Sequence, residues 1–321
     1  MPGWLAYDSV MQKPILFLLI SCSLSFAAQT GEPRKVLCAD DSKQRLALVN
    51  ADGKIEWEYK VGPIHAAHVL ANGNLLFQVN WSRVVEVTFD DKKEIVWEYD
   101  ASKRPENAGK HVEVHAFQRL ENGDTMIAES GSSRILEVAK DGKITKQFPM
   151  KVSASSGHSD TRQVVKLKNG HYLAAHEHDC MVREYDTDGK VVWEYAVPLF
   201  GRKPAGGHGP EAFGNAVFGV QRLVNGNTLI GTGNGHSVLE VTPKGEIVWK
   251  IEQNDLTGIQ LAWVCGVERL ANGNTRFVNC HAGPNAPQLI EVNANKKLVW
   301  AMKDFDNFGD STPVAQVIEK N

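Results

Sequence analysis

The chain lacks most of the features that announce a function on their own. Its 35 Lys and Arg against 38 Asp and Glu leave a net charge near −3, so no basic footprint points to nucleic acid. Cysteine is scarce, five in 321 residues, and no two form a C-x-x-C pair, which leaves a structural zinc site of that kind unsupported. There is no helical H-E-x-x-H, no glycine-rich phosphate loop after a strand and no nucleophile elbow. Only one long apolar run occurs, at residues 14–26, and it is too short and too near the start to favour a permanent membrane span. Lys13 precedes it, and Ala27, Ala28 and Gln29 follow, which is the layout of a signal peptide over residues 1–28. Met11 would be a more conventional start for it than Met1. Leu19-Ile20-Ser21-Cys22 also has the form of a lipobox, so export ends either in a free mature chain, periplasmic or extracellular, or in one lipid-anchored at Cys22.

What the chain has is repetition. Residues 219–250, GVQRLVNGNTLIGTGNGHSVLEVTPKGEIVWK, read as four short strands divided by tight turns. Asn-Gly between two apolar runs signals a hairpin, and a two-residue type I′ turn is the expected form because both central residues then need positive φ. The pair recurs at Asn72-Gly73, Asn122-Gly123, Asn169-Gly170, Asn225-Gly226 and Asn272-Gly273, in steps of 50, 47, 56 and 47 residues. The last strand of the unit carries a tryptophan at Trp57, Trp97, Trp193, Trp249 and Trp300, with Lys146 in the remaining copy. These tryptophans are expected to pack between sheets.

Four strands per copy at a period near 48 is the signature of an all-β propeller. Five copies are complete, and residues 35–59 supply the last three strands of a sixth. Residues 314–318 look like a lone first strand. The C-terminal strand should therefore pair with the N-terminal three-strand piece and close a six-bladed ring of antiparallel sheets over residues 35–320, hiding the edges that an open array would expose.

The repeats resemble the pyrroloquinoline-quinone-like, quinoprotein-type propeller repeats. The resemblance is carried by Leu239-Glu240-Val241 with Gly245-Glu246-Ile247-Val248-Trp249, and by Glu184-Tyr185 with residues 188–195. The first hairpin, NGNTLI, looks closer to the arylsulfotransferase-like six-bladed propellers. Quinoprotein dehydrogenases have eight blades and a vicinal cysteine pair. This chain is too short and lacks the pair, so pyrroloquinoline quinone is not an expected cofactor. Arylsulfotransferases carry the sulfuryl group on a channel histidine, and no single histidine here aligns with it.

In a four-strand meander the Asn-Gly and Asp-Gly hairpins share one end, and the more varied loops share the other, where function usually sits. Nine of the eleven histidines fall at the varied end; only His68 and His171 do not. The longest loop, residues 198–215, should lie over that face. Summed numbering about two-residue turns pairs His65 with Asn80, His115 with Ser130, Arg162 with Glu177, Phe218 with Gly233 and Cys265 with Cys280. The last pair is a candidate disulfide. His65, His115, His178 and His281, with Arg162 and Glu177, are expected to converge on the axis as the catalytic or binding set. His176, His178 and His281 are candidate ligands for a divalent transition metal, because neutral imidazoles and carboxylates suit one.

Two functions follow. One is a His-lined axial pocket for a small anionic or sugar-like ligand, with transfer, elimination or hydrolysis as the reaction class. The alternative is a non-catalytic propeller scaffold that binds a glycan or a protein. A monomer is expected, with no nucleic-acid partner.

Overall fold

The computed structural model describes residues 28–318; residues 2–27 of the leader, Cys22 among them, lie outside the described residues. Six antiparallel sheets form six blades, each with its innermost strand on the central axis. The innermost strands are Ala67–Val69, Glu113–Arg119, Gln163–Lys166, Gly219–Arg222, Trp263–Arg269 and Val314–Ile318. The last of these pairs with Lys35–Asp40, so the first blade is built from both ends of the described chain, as the repeat count requires. Val314 and Val317 are buried in that closure.

A second closure was not anticipated. Ala28–Thr30 adds a fifth strand outside Leu298–Lys303 in the sixth blade, so the ordered propeller begins before Lys35. The outer strand of a blade presents unpaired amides and carbonyls, and a short segment of any extended sequence can satisfy them. Arg34, just after it, lies 5.0 Å from the Trp300 ring and 2.5 Å from Glu291.

The hairpins differ from the expected type. At each Asn-Gly pair only the glycine has positive φ, for example +90° at Gly123. The Gly123 amide donates to Leu120 O at 3.0 Å and the Leu120 amide to Asp124 O at 2.8 Å. This is a three-residue loop, a type I turn followed by a left-handed glycine. The asparagine instead accepts with its side chain from the amide two residues on, 3.1 Å for Asn122 and Asp124. The extra loop residue moves the predicted cross-strand pairs by one, and a bulge in the strand of His115 and in that of Cys265 makes the shift two there. Gln163 opposes Ala175, and Cys280 opposes Trp263, not Cys265. All four described cysteines are free thiols, so the candidate Cys265–Cys280 disulfide is not formed.

Neighbouring blades are joined by a recurring clamp near the hairpin end. Arg119 lies 5.0 Å from the Trp97 ring and 2.6 Å from Glu86 of the preceding blade. Arg222 treats Trp193 and Glu184 alike, at 5.1 and 2.5 Å, and Arg269 treats Trp249 and Glu240 at 5.2 and 2.9 Å. A guanidinium can stack on an indole and pair a carboxylate at once, which is why arginine serves here. Against the blade without the tryptophan, Lys166 of the next blade reaches Glu137 at 2.5 Å and lies over Tyr172 of its own blade.

Candidate functional site

A cavity of about 410 Å³ follows the axis between the innermost strands. His65, His115, Arg162 and Phe218 line it, from four successive blades. The His65 and His115 rings stack at 4.8 Å, and Phe218 closes on His65 at 5.7 Å. Trp81 packs edge-on against His65, His115 and His158 at 5.0, 5.4 and 5.0 Å.

His65 stands at the loop side of the strand Ala67–Val69, its amide donating to the buried Gln78 side chain at 2.9 Å. Arg162 Nη1 is 2.9 Å from His65 Nδ1. A guanidinium only donates, so Nδ1 must be the acceptor and the ring proton sits on Nε2. Nε2 faces Asp41 Oδ2 at 3.7 Å. Burial, reinforced by the Arg162 charge, holds the His65 pKa well below the usual imidazole range. Burial raises Asp41 to about 6, against the lowering effect of the Ile64 amide that donates to it. Arg162 also forms the anticipated ion pair with Glu177, despite the shift in register.

His115 occupies a β-bulge. Ala128 opposes Ala116 and Glu129 opposes Val114, leaving His115 as the extra residue of its strand. Bulges re-aim a side chain and are common beside functional sites. The His115 ring is fully buried, and neither ring nitrogen has a hydrogen-bond partner. Its Nε2 is nonetheless 2.9 Å from Glu113 Oε2, close enough for an ion pair but off the direction a ring N–H requires. Burial lowers the His115 pKa to about 4, Glu113 pulling the other way.

Glu113 is the hub of the loop side. His158 Nδ1 lies 2.7 Å from its Oε2 and His111 Nε2 lies 2.8 Å from its Oε1. Burial would raise this carboxyl, but the adjacent His115 imidazole and the contact with His158 outweigh it and hold the pKa at about 2. His111 comes this near because Gly131 and Gly157 carry no side chains. A Cβ on Gly131, at φ +84°, would lie 2.0 Å from His111 O.

The remaining predicted residues are placed elsewhere. His281 lies against His208 of the long loop, ring to ring at 5.1 Å, and His208 packs on Trp263 at 4.6 Å. His281 is still near enough for its charge to bear on His65. His178 is exposed, its amide bonded to Ser159 O. His176 is fully buried and has spent both nitrogens: Nδ1 donates to Asp160 O at 2.7 Å, and Nε2 accepts from the Tyr185 hydroxyl at 2.9 Å. His176, His178 and His281 therefore do not assemble into a ligand set. Among the described residues, the group whose donor atoms meet is Glu113, His115 and His158, all within 4.8 Å. The numbering of opposed residues could not show Glu113 or His158. A local signal did exist: His111, Glu113 and His115 alternate along one extended segment, so their side chains share a face wherever the strand is regular.

The family model described as outer membrane protein assembly factor BamB matches residues 42–264, more than two thirds of the chain. The chain belongs to that family. This BamB-type propeller is similar in structure to a protein of unknown function from Bacteroides caccae, with a TM-score of 0.72 and 22% identity over 90% of this chain and 100% of that one. It is also similar to a streptogramin B lyase, with a TM-score of 0.57 and 14% identity over 88% and 87% of the two chains. A virginiamycin B lyase from Staphylococcus aureus, in an inactive form with quinupristin, gives 0.55 and 15% over 85% and 86%. At these identities the likeness shows the fold alone. No curated protein sequence is significantly similar to this one. Among the described residues no helix is long and apolar enough to cross a membrane.

Proposed function

We propose that this is an exported BamB-type propeller whose axial pocket binds a small anionic or sugar-like ligand and carries out transfer, elimination or hydrolysis on it. Residues 1–28 act as the leader, and the propeller is the single mature domain. One observation carries the pocket reading: His65, His115 and Arg162, from three blades, line one cavity. Arg162 supplies a fixed positive charge with directional donors, suited to a carboxylate or sulfate. The imidazoles supply groups that exchange protons near neutrality once a ligand changes their surroundings.

The test uses the intact chain with sulfate and glucuronate as probes, followed by thermal shift and calorimetry. A ligand at about 100 times its Kd adds roughly 2.7 kcal/mol of stability. The double variant R162M/E177M removes both members of the ion pair, which avoids stranding a buried charge. Binding should be lost in that variant while the fold is kept. No binding of either probe to the wild-type chain would overturn the reading.

The family description favours a second reading, a scaffold whose loop face docks a glycan or protein without chemistry. In that case the double variant would keep its partner, and no turnover would be found with any anionic substrate. The leader is tested by mass spectrometry of the exported protein, which should begin after residue 27 or 28, or at a lipidated Cys22.

A further inference from the structure

We infer that Glu113, His115 and His158 form a binding site for a divalent transition ion, with His111 at its rim. The site lies at the loop side of the axial cavity and shares His115 with it. Three independent features converge there. Two imidazoles and one carboxylate, drawn from two blades, present donor atoms within 4.8 Å of one another. Three imidazoles crowd one carboxylate, with His158 at 2.7 Å, His111 at 2.8 Å and His115 at 2.9 Å from its oxygens. The third feature is His115 itself, wholly buried with no hydrogen bond at either nitrogen. Leaving a buried polar group unmatched costs about 1–3 kcal/mol, and a ligand bond at Nε2 would offset part of that.

The donor set selects the ion. Two histidines and one acid, with positions left open, suit zinc, iron(II), cobalt(II) or manganese(II), and the absence of thiolates argues against a soft ion. Metal bonds of about 2.1 Å place neighbouring donors about 3.0–3.4 Å apart. The His158 and His115 nitrogens must therefore move outward from Glu113 by a few tenths of an ångström, and the two imidazoles, within 4.8 Å of each other, must close towards that spacing. His158 and His111 are partly exposed and have room to do so, with side chains 48% and 74% accessible. Phe117, two residues beyond His115 in the same strand, is buried in the core between two blades, which anchors that part of the site.

The ion's open positions would serve the anionic ligand of the pocket, and that clause alone rests on the function proposed above. The ion-binding test stands apart from it. The full mature chain, stripped with chelator, is titrated with cobalt(II) and read by its visible spectrum, then with zinc as competitor. One equivalent of cobalt should bind, with bands of the intensity seen in four- or five-coordinate sites, and zinc should displace it. Loss of an outer partner commonly weakens a metal site 10–100-fold, so loss of a ligand in E113Q or H158N should cost at least about 100-fold. H158N changes a half-exposed side chain and serves as the test should E113Q fail to fold.

No cobalt or zinc binding to the wild-type chain, or unchanged affinity in H158N, would overturn the site and leave an ion-pair cluster. Sulfate and glucuronate binding to the stripped and loaded chain separates the two ideas. Metal binding with neither anion bound overturns the pocket reading and keeps the site; anion binding without metal does the opposite.

Discussion

At the hairpin end of the propeller the same residues do the same work in blade after blade. An arginine leaves the inner strand, pairs a glutamate of the preceding blade and lies over that blade's indole, as at Arg119, Arg222 and Arg269, while Lys166 keeps the ion pair across the blades but lies over Tyr172 of its own blade. At the loop end no two blades contribute alike. One gives His65, the next Glu113 and His115 on a bulge, the next His158 and Arg162, the next Phe218. The inter-blade clamp solves a problem that every blade has, so it repeats with the sheet. A site on the axis is solved once for the whole ring, so its residues need not repeat. Departure from the repeat is thus what marks the candidate site in this molecule, and the repeat marks the scaffold.

The largest effect is expected from ending the chain after Thr312. That removes the innermost strand of the first blade with buried Val314 and Val317, each worth about 1.5–3 kcal/mol. The truncated protein should unfold at least 3 kcal/mol more easily in urea; melting like the intact chain would mean that the ring does not depend on this closure.

Acid should act through the buried histidines that belong to the core. His176 has its pKa lowered to about 4 from an ordinary 6.5, chiefly by burial. Below pH 6.5 the unfolded chain takes up a proton that the folded chain refuses, so this contribution to stability is complete above 6.5 and is lost as pH falls towards 4. The gap corresponds to about 3 kcal/mol at most. The difference in unfolding free energy between wild type and H176Q should shrink by up to that amount across this window. A difference independent of pH would show that His176 takes up its proton as readily in the fold as in the unfolded chain.

R222M deletes one clamp, its ion pair with Glu184 and its contact with Trp193. A loss of about 1–3 kcal/mol in stability is expected, with anion and cobalt binding unchanged, because the clamp touches none of the pocket residues. Altered binding at the pocket would show that the ends are coupled. The smallest effect should come from H178A. That side chain is exposed, so stability should stay within about 0.5 kcal/mol, and metal affinity should not move. A large drop in metal affinity would restore His178 to the site.

The sequence alone determined the blade count, the closing strand, the hairpin end and the loop end. Each depends on a signal that is local and repeated: Asn-Gly at a turn, alternation along a strand, an indole in the last strand. Family style was legible for the same reason. The Arg162–Glu177 ion pair was also within reach, since long side chains tolerate a register error of one residue. The pairing of Cys265 with Cys280 was not, because the three-residue turn and a bulge after Val264 set Cys280 opposite Trp263, and the two buried thiols stay free although they lie side by side.

Only the tertiary structure decided which histidines meet. His65, His115 and His158 stand 50 and 43 residues apart in the chain and come together because three blades share one axis. His176, which looked like a ligand beside His178, is bonded into its own blade by a carbonyl and a tyrosine hydroxyl. No pattern along the sequence encodes either outcome, because an imidazole's role is set by the groups around its two nitrogens, and here those come from segments far apart in the chain.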